Sequence, residues 1–249
     1  MGHIIPLLEG GLIFLALEVF LLKPVFLIYI VAIITVLIFL GMLIPKKRFL
    51  DGVEFWHYIF NPLIFVWSSI LLLLFFENIY FKHLFILGVG IYTTFYFENI
   101  FYYLVSEKEK NEENFLRITN IMNVVSVFFL AAGLYGVKTF IQLPIALLSL
   151  AFFIFSSALI YGSLWVIKPV FKDIFWDMVV VSLIITELFV VLNFLPIGFY
   201  AAGAVLGILY YMTAGILINF LKKGVAPYKR YLIIGSVLLL FVIFTAKWM

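Results

Sequence analysis

The chain reads as long apolar runs separated by short polar punctuation. Nine runs stand out: about Ile5–Leu22, Val25–Ile44, Phe55–Phe76, His83–Val105, Phe115–Val137, Thr139–Ile167, Ile174–Leu195, Ile197–Leu221 and Tyr231–Ala246. Each is near the ~20 residues that a helix needs to cross ~30 Å of hydrocarbon. None shows the period-2 alternation over ~10 residues that marks a barrel strand. The pattern predicts an all-α, polytopic transmembrane bundle of about nine spans, with residues 1–249 as a single integral membrane domain.

Composition agrees. The 249 residues are 66% hydrophobic and 12% charged, about half the charge of an ordinary soluble domain. The Lys and Arg positions then orient the spans. With nine crossings, the side holding the N-terminus receives Lys46, Lys47, Arg48, Lys108, Lys110, Arg117, Lys168, Lys172, Lys222, Lys223, Lys229 and Arg230. The other side receives only Lys23, Lys82, Lys138 and Lys247. A bias of 12 to 4 among the 16 basic residues places the N-terminus in the cytoplasm of a cell membrane, plasma or inner.

Four glutamates fall inside spans. Measured from the span centres, Glu187 lies ~4 Å from the midplane on the outer side and Glu98 ~6 Å on the cytoplasmic side. Glu9 and Glu18 lie ~7 Å off, on opposite sides. A carboxylate at such depth faces protein or water rather than lipid, so Glu187 is expected to face the bundle core. Glu98 is matched in depth with Asn120 and Asn123 on the next, antiparallel span, which predicts a hydrogen-bonded cluster with Arg117 near its mouth. Asp177 and Glu9 share that leaflet. These seven residues, Glu187, Glu98, Asn120, Asn123, Arg117, Asp177 and Glu9, are the polar-pathway candidates. Glu9 and Glu18 stand nine residues apart, ~180° round a helix, so they serve different neighbours unless Gly10-Gly11 breaks the span.

Gly203 and Gly207 form a G-x-x-x-G pair, which lets two helix backbones approach closely, inside the bundle or between copies. Trp67, in mid-span, is expected to pack on another helix, and Pro62 and Pro144 to kink their spans.

Several chemistries lack their residues. There is no cysteine, and His3, His57 and His83 are far apart. No H-E-x-x-H, no G-x-S-x-G, no Walker A, no dinucleotide fingerprint and no lysine in mid-span is present. No catalytic residue, metal site or cofactor is therefore expected. What remains is a small-solute or ion permease, proton-coupled. The competing readings are a membrane-embedded enzyme acting on a lipid at the cytoplasmic leaflet, and a structural or assembly subunit. The expected partners are the lipid bilayer, a small solute or proton, and a second copy of the chain. The scattered basic residues do not form a nucleic-acid surface.

Overall fold

The computed structural model describes residues 4–49, 54–105, 108–167, 171–223 and 228–246. Among them are nine α-helices and no strand: α1 (Ile4–Leu22), α2 (Leu27–Phe49), α3 (Glu54–Leu73), α4 (Ile79–Val105), α5 (Lys108–Ile141), α6 (Ile145–Val166), α7 (Phe171–Leu192), α8 (Phe199–Lys223) and α9 (Tyr228–Thr245). They coincide one for one with the nine apolar runs. Side chains of several orienting basic residues, including Lys46, Lys108 and Lys168, lie outside the described set. Eight helices are long and apolar enough to span a membrane, making this a multi-pass membrane protein; the ninth, α3, has a shorter described apolar stretch, Tyr58–Leu73.

The chain packs as two compact units, Met1–Thr119 and Asn120–Met249, divided within α5.

In the first unit, α1 runs antiparallel to α4. Gly10 faces Gly90 and Thr94, and Glu18 faces His83 further along. A Cβ on Gly10 would lie 2.7 Å from the Gly90 carbonyl oxygen, so the two backbones come together at facing glycines. Helix α2 returns along α1, with Gly41 opposite Glu9. Helix α3 is the core. From Asn61 to Leu73 only Trp67 and Leu71 are not fully buried. Tyr58 meets Tyr103, and Phe65 lies 5.4 Å from Tyr92, ring centre to ring centre. That register carries α3 antiparallel along α4 over its ~30 Å length. Trp67 donates its indole N–H to Thr35 on α2 at 3.2 Å, the expected helix-to-helix role. Pro62 sits inside a continuous α3.

The second unit alternates in the same way. Ala132 of α5 opposes Gly203 of α8, and Val124 and Phe128 oppose Gly207. Asn219 of α8 bonds Tyr231 of α9, while Gly235 lies against Met212. Tyr135 of α5, Phe189 of α7 and Phe152 of α6 form a stack of nearly parallel rings, with centres 4.5 and 4.6 Å apart. The Tyr135 hydroxyl donates to the Phe189 carbonyl at 2.7 Å. That carbonyl lies in the last turn of α7, where intrahelical donors run out, so one tyrosine both fixes the rotation of α7 and caps it.

Several helix ends differ from the sequence expectation, most of all at α5, which begins at Lys108 within the polar stretch before the apolar run at Phe115. Helix α5 continues to Ile141 and α6 begins at Ile145, so Pro144 is the N-cap of α6 rather than a kink within a long span. Gln142 turns left-handed at φ 61°, and its N–H reaches back to the Val137 carbonyl.

Candidate functional site

Hydroxyl groups in a membrane helix have a simple local solution: donation to the carbonyl three or four residues back. Thr35, Ser68, Ser69, Thr93, Thr94, Ser126, Ser182 and Thr213 all take it. Asn99 and Asn219 do the same with their amides. Against this background, three buried polar groups stand apart.

The first is Glu9. Its side chain is 6% exposed, and its Oε1 has no hydrogen-bond partner among the described residues. Gly41 makes the room. A Cβ there would fall 2.5 Å from Glu9 Cδ and Oε2, so any larger residue on α2 would displace the carboxyl. Helix α1 runs unbroken through Gly10-Gly11, and Glu18 accordingly faces another partner. Its carboxylate oxygens lie 2.9 and 3.0 Å from Nδ1 of His83, in a partly exposed pair.

The second is a polar trio in the first unit. Asn61, Tyr96 and Thr119 are all buried, and the Tyr96 hydroxyl is within hydrogen-bond reach of both of the others. The Tyr96 ring packs on Phe97 and Phe115.

The third is in the second unit. Asn123 spends its amide nitrogen on the Leu159 carbonyl at 2.9 Å and on Ser163 Oγ at 2.6 Å. The buried hydroxyl of Tyr210 is within hydrogen-bond reach of Ser163 and Asn123.

The structure distributes the sequence candidates unevenly. Glu9 and Asn123 are buried; Glu98, Asn120 and Asp177 are half-buried; Arg117 is exposed. Glu98 belongs to the first unit, Asn120 and Asn123 to the second, and the donors of Asn123 are engaged within its own unit. Glu187 is a correction. It was expected to face the bundle core, and it is exposed. Ile185 and Phe189 are buried on α7, and Glu187 stands ~200° round from each. Anchoring Phe189 in the ring stack therefore turns Glu187 outward, onto the stripe of Trp176, Val180, Ile184 and Val191. Gly203 and Gly207 press on α5, with a Gly203 Cβ position only 2.8 Å from the Ala132 nitrogen, so this face is used inside the second unit.

Sequence reading passed over Asn61, Tyr96, Ser163 and Tyr210. Asn61 carried a usable signal, an amide within the apolar run of span 3. The tyrosines carried none, because their hydroxyls acquire meaning only from the neighbours that folding supplies.

Comparison of the chain with protein-family models, with curated proteins and with solved structures finds no match.

Proposed function

We propose that the protein is a permease of the cell membrane that moves a small solute or ion together with a proton, and that Glu9 is the proton-carrying group. The observation that supports this is the Glu9 carboxyl: buried, with one oxygen lacking a donor, and held in a space that exists because position 41 is glycine. A carboxyl withdrawn from water into apolar surroundings requires neutralisation, and intramembrane acids of this kind mark ion and proton routes.

The test is flux into vesicles. Purified protein is reconstituted with a pH-sensitive dye in the lumen, and gradients of small amines, amino acids, sugars and monovalent salts are imposed in turn. At least one class should drive a lumenal pH change in wild type. Glu9→Gln should abolish it and Glu18→Gln should retain it. Wild-type vesicles indistinguishable from empty ones across the panel would sink the reading.

A second reading, an assembly subunit, is favoured by Glu187. A carboxyl on the outward stripe of a membrane helix is costly against lipid and would be relieved by a donor on a neighbouring chain. Native mass spectrometry from gentle detergent tests it: a stoichiometric complex that disappears in Glu187→Leu supports it, and a monomer in both proteins removes it.

A further inference from the structure

We propose that the basic end of the α8–α9 hairpin binds an anionic phospholipid, with the headgroup phosphate held at Arg230, Lys229 and Lys222 and an acyl chain lying along the outer face of α9. The register of the hairpin is fixed. Tyr231 of α9 is laced to three successive turns of α8: its ring packs on Gly215 and lies 5.3 Å from the ring of Tyr211, and its hydroxyl accepts from the Asn219 amide at 2.7 Å. Lys222 follows Asn219, and Lys229 and Arg230 precede Tyr231, each within one helical turn, ~5 Å, of that bond along its own helix. All three bases are exposed. The 25 residues of α8 span ~37 Å, more than the ~30 Å of hydrocarbon, which carries its basic end to the headgroup level. Exposed Tyr228 beside them suits the same layer.

Charge and surface chemistry name the ligand. No aspartate or glutamate follows Glu187, so the joined ends of α8 and α9 bring four bases, Lys223 included, and no acid. Helix α7, antiparallel to α8, begins at the same end with Lys172, Asp173 and Asp177, which leaves the bases in excess. Such an excess beside a membrane span attracts anionic headgroups, and a guanidinium matches phosphate oxygens in pairs. Arg230 also heads a stripe. Ile233, Val237, Phe241 and Phe244 succeed it at helical spacing, all exposed and turned away from Gly235, which is buried against Met212 of α8. A cation with an apolar track running on from it fits a molecule that carries both a phosphate and a chain. A soluble phosphate would use only the cation. The proposal stands apart from any role of Glu9.

Lipid counting by native mass spectrometry tests it, on protein in a neutral detergent titrated with dioctanoyl phosphatidylglycerol. Wild type should bind this lipid at least ~10-fold more tightly than dioctanoyl phosphatidylcholine. The triple variant Lys222→Gln/Lys229→Gln/Arg230→Gln should erase that preference. Lys46→Gln/Lys47→Gln/Arg48→Gln removes the same charge from another basic stretch and should keep it. Equal losses in the two triple variants would mean that the bases act through net charge and chain orientation alone, and the proposal falls. It falls too if wild type shows no preference between the lipids. Displacement of the lipid by an equal concentration of glycerol 3-phosphate would assign a free phosphate and overturn the lipid. Single variants keep the test sound where the triple fails to insert. Arg230→Gln leaves the hairpin basic and should weaken binding by roughly 3–10-fold, while Arg230→Lys, which keeps the charge, should lose less. Wild-type binding by Arg230→Gln overturns the assignment.

Discussion

Glu9 and Glu187 are the same residue type at comparable depth, and the fold treats them in opposite ways. Glu9 on α1 is enclosed, with Gly41 of α2 shaped around its carboxyl. Glu187 on α7 looks away from its unit, past a stripe of valine, isoleucine and tryptophan. The lesson is that depth and azimuth are separate coordinates. Depth comes from counting along a span at 1.5 Å per residue. Azimuth is decided by packing partners: Gly41 for α1, and the Tyr135–Phe189–Phe152 stack for α7.

The hardest blow to this contrast is a side chain at position 41. Gly41→Val forces atoms into the space of the Glu9 carboxyl, and overpacking of this kind costs ~1–3 kcal/mol, a fall of several degrees in melting temperature in detergent. Gly11→Val, on the same helix as Glu9 but with nothing within 4 Å of its Cβ position, serves as the control and should lose markedly less. Equal losses would mean that Gly41 does not house the carboxyl.

Next in size is the carboxyl itself. Glu9→Met removes a desolvated acid and keeps an unbranched side chain of similar length. Stability should rise by roughly 1–2 kcal/mol while any proton-linked flux disappears. A fall in melting temperature would show that the carboxyl is satisfied by a partner.

The smallest expected effect is at Glu187. Glu187→Leu should change the stability of the isolated chain by no more than ~0.5 kcal/mol, as for other outward positions. Because the chain has no cysteine, single-cysteine variants give a direct reading of azimuth. A spin label carried on a cysteine at 187 should be relaxed by lipid-dissolved oxygen, and one at position 9 should be shielded. Protection at 187 in the monomer would restore the inward orientation expected from sequence.

The existence and order of the nine helices were legible because hydrophobic length is a one-dimensional signal. The positions of Glu9, Asn123 and the Gly203/Gly207 pair within their helices were legible in the same way. The rotation of α7 was not, because a membrane helix is apolar on both its lipid and its protein faces and so carries little amphipathic signal. The turn at Gln142–Pro144 was also obscured: Leu143 within it and Ile141 and Ile145 on either side are as apolar as the helices it joins. The cluster of Asn61, Tyr96 and Thr119 in the first unit draws on α3, α4 and α5, and no local spacing links residues so far apart in sequence.

The enclosure of α3 has a consequence for biosynthesis. This helix is the core of its unit, yet the chain makes it before most of its covering. Between completion of Leu73 and of Tyr103, which packs beside Tyr58, roughly 2–6 s elapse at ordinary elongation rates. Throughout that interval Asn61, and the Tyr58 carbonyl that Pro62 cannot bond, have neither α4 nor α5 beside them. Lipid offers such groups no hydrogen bonds. Helix α3 must therefore wait in a sheltered setting, at the insertion machinery or against the α1–α2 hairpin already in place, until α4 and the first turns of α5 arrive to close over it.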